Sequence, residues 1–250
     1  MLKSLAKRLL SQTGYRVVHG RRRWGVEVID DAVRVLGGRG RLKVVFDVGA
    51  NFGQSSLAYA SAFPKATIHA LEPVSSTFDK LSDRVESIRR IRPHRLALGA
   101  SAGEMTITLY GDQGKSSLKD SLADSARGGV SGSEQVEVRT LDEFVSTEGI
   151  EHVSLLKTDT EGCDLNVMQG ASESLKGQRI DLVYCEFHHY FDTPGGHPDG
   201  LGTLEGLNGF LADHGYRLLT TYTDAINPTE DLGTYNALFV AKSLQPAFRS

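Results

Sequence analysis

Short apolar runs alternate with segments of helical period along the first half of the sequence. The apolar runs predict strands at 43–48, 67–71 and near 94–98. The segments between them predict helices at 54–62 and about 76–85, the second beginning at a Ser or Thr cap. A βαβαβ order of this kind predicts a parallel sheet with right-handed crossovers.

The second half of the chain departs from this rhythm and then returns to it. Two alternating segments, 105–110 and 135–139, predict an inserted β-hairpin whose strands are separated by a glycine- and serine-rich stretch, 111–132. A connection this long suits a lid over a ligand site, and plain disorder is the open alternative. The remaining pattern predicts helices at 141–146, 164–175 and 204–214, and strands at 153–157, 180–186, 216–222 and 234–240.

The last two predicted strands are joined by a short polar loop, so we expect them to pair as an antiparallel hairpin. The predicted fold is therefore α/β, with an open sheet of seven mostly parallel strands and helices on both faces. Residues 1–40 are predicted to form an N-terminal helical cap, a membrane-surface helix being the alternative for its first segment. Residues 41–250 are predicted to form the main domain, with the inserted hairpin and loop near 100–140.

Composition adds few constraints. The chain has 250 residues, 40% hydrophobic and 24% charged, with a net charge of -3, which fits one globular domain and gives no strong field for nucleic acid. The two cysteines, Cys163 and Cys185, are too few for a disulfide framework and favour a reducing compartment. Without a cleavage signal or an apolar run of about 18 residues, we expect a cytoplasmic protein with no integral membrane segment. The oligomeric state stays open.

The segment 44–55 carries the clearest chemical signal. It reads as a strand, a glycine-containing turn and the start of a helix, which places backbone N–H groups at the carboxyl edge of the sheet. A dinucleotide turn needs Gly-x-Gly-x-x-Gly, but Asn51 and Gln54 stand where the second and third glycines belong. The phosphate-loop pattern is also missing, so both NAD and a nucleotide triphosphate are disfavoured.

Glu72, at the end of the second predicted strand, points to a different ligand. A carboxylate at this position can accept hydrogen bonds from both hydroxyls of a ribose. The alternative is that Glu72 only caps the loop before Pro73.

The sequence resembles class I S-adenosylmethionine-dependent methyltransferases, and more narrowly the FkbM family. The shared patterns are Phe46 to Asn51 with Gly53, Leu71-Glu72-Pro73, Ala97-Leu98-Gly99 with Gly103, Thr140-Leu141-Asp142, Leu156 to Gly162, and Gly170-Ala171. The first two patterns are general to the class, whereas Lys157-x-Asp159-x-Glu161-Gly162 is specific to the family. The resemblance covers 44 to about 240 and implies a Rossmann-like sheet.

By position, the resemblance implies that Asp47, Gly49 and Gly53 shape the methionine side of an S-adenosyl-L-methionine pocket. Asn51 lies in the same turn and counts as cofactor-binding, while Glu72 holds the ribose. Many class I enzymes hold the adenine amine with an acidic residue after the third strand. Here that place holds Leu98, Gly99 and Ala100, so the adenine contact remains unassigned.

Candidate proton acceptors follow the fourth and fifth predicted strands, where the sheet opens toward the cofactor. Asp159, Glu161 and His188 are the predicted catalytic residues, with Glu186 and His189 also at suitable positions. Asp159 and Glu161 can alternatively cap the helix that begins near Asp164. No metal ligands are predicted, although carboxylates beside histidines leave a magnesium-assisted mechanism possible.

The resulting functional prediction is an S-adenosyl-L-methionine-dependent O-methyltransferase acting on a hydroxyl of a small molecule, such as a sugar or another secondary-metabolite or glycolipid group. The alternative is a non-catalytic cofactor- or partner-binding protein that has kept the fold.

Overall fold

The computed structural model describes residues 24–110, 116–117, 130–190, 202–227 and 232–244. The predicted helix in the first 23 residues, most of the proposed lid and the glycine-rich stretch at 193–200 lie outside these residues. The described residues contain eleven strands: β1 (Val44–Val48), β2 (Thr67–Leu71), β3 (Ile91–His94), β4 (Ala97–Leu98), β5 (Gly103–Tyr110), β6 (Ser116–Ser117), β7 (Val130–Arg139), β8 (Val153–Thr158), β9 (Ile180–Tyr190), β10 (Tyr216–Asn227) and β11 (Leu232–Ala241).

Seven of these strands form the main sheet, in the order β10-β11-β9-β8-β1-β2-β3. Neighbouring strands along β9-β8-β1-β2-β3 are parallel, and β11 is antiparallel to both of its neighbours, β10 and β9. The predicted seven-stranded sheet with its C-terminal antiparallel hairpin is therefore confirmed. The chain winds outward from β1 in both directions, which makes the carboxyl ends of β1 and β8 the point where α/β sheets bind ligands.

Helices cover both faces of this sheet, as predicted. They are α1 (Val28–Leu36), α2 (Gln54–Ala62), α3 (Ser75–Val85), α4 (Leu141–Thr147), α5 (Asp164–Gln169), α6 (Ser172–Lys176) and α7 (Leu204–Asp213), with a 3-10 turn at Arg39–Arg41. Buried side chains of α1 to α3 pack with Val45, Leu155 and Leu238 of the sheet. Those of α4 to α7 pack with Phe46, Leu156 and Phe239 on the other face. No helix within the described ranges is long and apolar enough to span a bilayer.

A second sheet, in the order β4-β7-β5-β6, occupies the predicted insertion. The predicted hairpin strands are β5 and β7, which pair antiparallel along most of their length. The prediction of a third main-sheet strand near 94–98 was wrong. The main-sheet strand is β3, an edge strand that tolerates Pro93, and the chain then crosses to β4, which pairs with β7 instead.

The predicted helix at 164–175 was also wrong, because it is two helices, α5 and α6. They are separated at Gly170 and Ala171, where the chain passes close to the loop after β4. A Cβ on Gly170 would lie 2.0 Å from the carbonyl oxygen of Gly99. Only glycine permits this approach, so the break between α5 and α6 packs directly against the loop after β4.

A pair of histidines lies between the strands beneath the candidate site. His69 of β2 stacks on Phe46 at 5.0 Å and on His94 at 5.2 Å between ring centroids. Burial lowers the pKa of His69 to about 4, so this pair is uncharged at neutral pH. The carbonyl oxygen of His94 accepts a hydrogen bond of 3.1 Å from the backbone nitrogen of Glu72. The packed rings therefore fix the start of the loop that carries Glu72.

The described part of the N-terminal segment, from Trp24 onward, is joined to the edge of the main sheet. Asp31 of α1 is 1% exposed and accepts hydrogen bonds of 2.8 Å from the backbone nitrogen of Gly25 and the hydroxyl of Tyr222. Arg34 lies 3.6 Å from the same carboxylate and packs over the ring of Trp24. These contacts hold α1 against β10.

The start of α3 is capped from the second sheet. The predicted Ser or Thr cap was wrong, because the N-cap residue is Val74 and its side chain forms no capping bond. Instead Glu134 of β7 accepts hydrogen bonds from the nitrogen of Ser75 at 3.1 Å and from its hydroxyl at 3.0 Å. The carboxylate thus satisfies a free N–H group and suits the positive end of the helix.

We expect Glu134→Ala to lower the free energy of unfolding by about 1 kcal/mol, the typical cost of losing a helix cap. Urea unfolding measures this loss. Glu137→Ala is the matched control, because Glu137 lies on the same strand and pairs with the partly exposed Arg139 instead of with a helix start. Equal stability of the two variants would contradict a capping role for Glu134.

Candidate functional site

The turn after β1 is held against the two strands beside it. The backbone nitrogens of Gly49 and Ala50 both donate to the carbonyl oxygen of Leu71, at 3.0 Å each. Gly49 has a φ of 71°, and a Cβ there would lie 1.9 Å from the carbonyl oxygen of Asp159. Glycine is therefore required at this position both for its conformation and because the end of β8 passes directly against it.

Asp47 and Lys157 form a buried ion pair beneath this turn. The Lys157 ammonium lies 2.9 Å from Asp47 Oδ1 and donates to the carbonyl oxygens of Gly49 at 3.0 Å and Val48 at 3.3 Å. Ser56 of α2 donates to the other oxygen of Asp47. Burial pulls the pKa of Lys157 down, but the Asp47 and Asp159 carboxylates more than offset it and raise this pKa above its usual range. The ion pair ties β1, β8 and the turn together.

Glu72 lies at the end of β2 with 5% of its surface exposed. Its Oε2 accepts a hydrogen bond from the nitrogen of Asn51 and its Oε1 accepts one from the nitrogen of Val74, both at 3.1 Å. Burial outweighs these bonds and raises the pKa of Glu72 to about 7. The carboxylate caps its own loop, as the alternative reading expected, and each oxygen retains a lone pair for a further donor.

A pocket of about 140 Å³, partly open to solvent, lies above these residues. Its lining comes from β1 and its turn, from β2 and its loop, from the segment around β4, from β5 and from the loop after β8. These residues are Val48, Gly49, Asn51, Leu71, Glu72, Pro73, Leu96, Ala97, Leu98, Ile107, Asp159, Thr160 and Glu161.

The loop after β8 brings Asp159 and Glu161 to this pocket. Asp159 has 45% of its side chain exposed, and its Oδ2 lies 3.6 Å from the Lys157 ammonium. Glu161 has a φ of 54° and is followed by Gly162 with a φ of 98°. Among the described residues three non-glycine residues have φ in the left-handed region, and two of them, Asn51 and Glu161, line this pocket. Uncommon backbone conformations of this kind concentrate at functional sites.

Helix α5 begins after this loop without a side-chain cap from Cys163, its N-cap residue. The hydroxyl of Thr160 donates to Asp164 Oδ2 at 2.9 Å, which closes the loop on itself. Asp164 is 1% exposed, and burial raises its pKa to about 6. The loop is therefore shaped by an internal hydrogen bond that orients Asp159 and Glu161.

His188 lies outside the set that lines the pocket. It is on β9, two residues beyond Glu186, and its Nε2 is 3.8 Å from Glu186 Oε2. Glu186 is 8% exposed, and its pKa is raised by burial and by the carboxylates of Asp159, Asp164 and Glu161. The side chain of His189 falls outside the described atoms. His188 and Glu186 thus lie beside the loop that carries Asp159 and Glu161, the acidic loop, rather than over the turn after β1.

The structure brings five of the predicted residues to one pocket: Gly49, Asn51, Glu72, Asp159 and Glu161. Two other predicted residues lie beneath the pocket and do not line it. Asp47 is fully buried, and Gly53 faces α3, where a Cβ would lie 2.7 Å from Leu81. Sequence reasoning missed Ile107, because only the paired second sheet places this residue near the turn. Within the described residues, no group of three or more His, Cys, Asp or Glu side chains is arranged to hold a metal ion.

Several characterised proteins are similar to this chain. The 31-O-demethyl-FK506 methyltransferase FkbM of Streptomyces tacrolimicus is 28% identical over 75% of this chain and 77% of its own. The hexuronic acid methyltransferase AglP of Haloferax volcanii is 28% identical over 58% and 56%. The methyltransferase sdnD of Sordaria araneosa is 29% identical over 52% of this chain and 60% of its own length. The chain thus spans only about three fifths of some of these relatives.

A solved structure supports the fold. The methyltransferase domain of METTL16 superposes with a TM-score of 0.50 at 15% identity, covering 95% of this chain and 78% of that domain. The sequence model described as the methyltransferase FkbM domain matches residues 47–218, which include the turn after β1, Glu72 and the acidic loop. The chain therefore belongs to the FkbM methyltransferase family.

Proposed function

We propose that this protein is an S-adenosyl-L-methionine-dependent O-methyltransferase that acts on a hydroxyl of a small molecule, such as a sugar or another secondary-metabolite or glycolipid group. The observation that carries the proposal is the buried Glu72 carboxylate, anchored by Asn51 and Val74 at the edge of a pocket that also contains Asp159 and Glu161. The hydroxyl acceptor is supported by the relative named for 31-O-demethyl-FK506, and a sugar acceptor by the relative named for hexuronic acid.

The residues present fit this cofactor. Gly49 lets the end of β8 approach the turn without a side chain between them, and both Gly49 and Glu72 line the pocket, where the Glu72 carboxylate can accept hydrogen bonds from ribose hydroxyls. Asp159 and Glu161 offer negative charge to a cationic ligand on the β8 side of the turn. When bound, S-adenosyl-L-methionine supplies an electrophilic methyl group on a positively charged sulfur.

The remaining chemistry belongs to the chain. A hydroxyl becomes a better nucleophile when a positioned base accepts its proton. Asp159 and Glu161 are the proposed acceptors, because their loop lines the pocket and Asp159 is half-exposed. His188, with Glu186 beside it at 3.8 Å, is a third proposed participant that lies next to this loop. The rest of the rate gain comes from aligning the acceptor and excluding water.

The proposal is tested first by calorimetry with S-adenosyl-L-methionine and S-adenosylhomocysteine, both of which we expect to bind. A panel of sugar and secondary-metabolite hydroxyl compounds then identifies an acceptor by methyl transfer. Failure of the wild-type chain to bind either cofactor form would contradict the proposed function.

With an acceptor in hand, we expect Asp159→Asn and Glu161→Gln each to lower kcat by about 10²–10⁴-fold if that residue accepts the proton, the usual range for general-base catalysis. Asp181→Asn is a suitable control, since Asp181 pairs with His152 through a contact outside the pocket. Unchanged turnover in both loop variants would remove them from the catalytic assignment.

A further inference from the structure

One end of the pocket is apolar and is built from two different sheets. Leu71 and Pro73 come from the end of β2, and the stretch from Leu96 to Leu98 follows β3. Ile107 comes from β5 of the second sheet, where it is 2% exposed. The Glu72 carboxylate lies at the edge of this apolar end, and the other two acidic residues of the lining, Asp159 and Glu161, are on the loop after β8. An apolar region next to a ribose-binding carboxylate has the chemistry that suits the faces of a purine base.

The second sheet is also packed against the loop that carries Glu72. Val74, whose nitrogen donates to Glu72 Oε1, packs in one buried apolar cluster with Ala97, Ile107, Val136 and Val138. The Glu134 carboxylate bonds the next residue of this loop, as described above. The cluster thus packs Ile107 against the loop that carries Glu72.

We propose that the second sheet is part of the cofactor site, with Ile107 closing the apolar region that receives the adenine of S-adenosyl-L-methionine. This inference rests on the proposed function and extends it to a strand outside the seven-stranded sheet. Adenine is bound here through its apolar faces, between Ile107 and the segment from Leu96 to Leu98, with Glu72 holding the adjacent ribose.

Calorimetric titration with S-adenosylhomocysteine and with adenosine tests this inference without requiring turnover. We expect Ile107→Ala to weaken both ligands by at least ten-fold. Ile107→Val removes one methylene from the contact and is expected to weaken both by about four-fold, the value of one buried methylene group. Met105→Ala is the matched control, because Met105 lies two residues earlier on the same strand and is 44% exposed. This variant is expected to bind both ligands like wild type.

The valine variant keeps the test decisive even if the alanine variant does not fold, and thermal melts without ligand establish which variants are folded. Wild-type binding of both ligands, together with unchanged affinity in a folded Ile107 variant, would overturn the inference and leave the proposed function standing. A wild-type chain that binds neither ligand at millimolar concentration would overturn the proposed function itself.

Discussion

Lys157→Met is expected to lower the free energy of unfolding by about 3–5 kcal/mol, the usual cost of removing one partner from a buried ion pair. The variant leaves the Asp47 carboxylate fully buried without its cation. It also removes the hydrogen bonds to the carbonyl oxygens of Val48 and Gly49. Because those bonds hold the turn after β1, the remaining folded protein is expected to bind S-adenosylhomocysteine weakly.

Urea unfolding of the wild type, Lys157→Met, Lys65→Met and the Asp47→Asn/Lys157→Met double variant separates the causes of this loss of stability. Lys65→Met is the control for removing a lysine, since Lys65 is exposed. Adding Asp47→Asn to Lys157→Met removes the uncompensated charge and is expected to recover a large part of the stability. If the double variant is no more stable than Lys157→Met alone, the pair is not coupled as its 2.9 Å contact implies.

Glu72→Gln is expected to weaken S-adenosylhomocysteine by at least about a hundred-fold, because two hydrogen bonds to a charged acceptor are each worth about 1.5–3 kcal/mol. The amide retains the size of the carboxylate but has one acceptor oxygen for the nitrogens of both Asn51 and Val74. Calorimetry measures the affinity, and Glu86→Gln on the exposed end of α3 is the control.

The same carboxylate predicts a pH dependence of binding. Burial raises the pKa of Glu72 to about 7 in the free protein, while ribose hydroxyls donate to the ionised form. The affinity for adenosine is therefore expected to rise with pH through 7 and to level off above it, with about a ten-fold difference between pH 6 and pH 8. Glu72→Gln has no carboxyl to titrate and is expected to lose this step. A wild-type affinity that is constant between pH 6 and pH 8 would show that Glu72 does not hold the ligand in ionised form.

The sheet and the turn were predictable because local patterns determine them. The apolar runs of β1 and β2 and the glycines at 49 and 53 predicted the strand, turn and helix that the structure contains. Glu72 was identified because an acidic residue at the end of a parallel strand lies at the edge where ligands bind. Its double anchoring by Asn51 and Val74 depends on the folded turn and has no local signal.

The rest of the site depends on contacts between distant segments. The carboxylate nearest to Lys157 is Asp47, which only the pairing of β1 with β8 brings close. The break after α5 lies where Gly170 approaches Gly99, which is distant in the sequence. The alternating pattern at 105–110 predicted a hairpin strand. Nothing in that segment indicates that Ile107 lines the pocket above the turn after β1.

The pairing of β1 with β8 also has a kinetic consequence. Lys157 bonds the carbonyl of Val48 across 109 residues of sequence, so the turn is complete only after the two halves of the chain have docked. Contacts of such long range form late in folding because the intervening chain must first be closed. A ligand that needs the completed turn cannot speed the earlier steps. Its stabilisation is expected to appear as slower unfolding, so bound cofactor protects the protein chiefly by extending the lifetime of the native state.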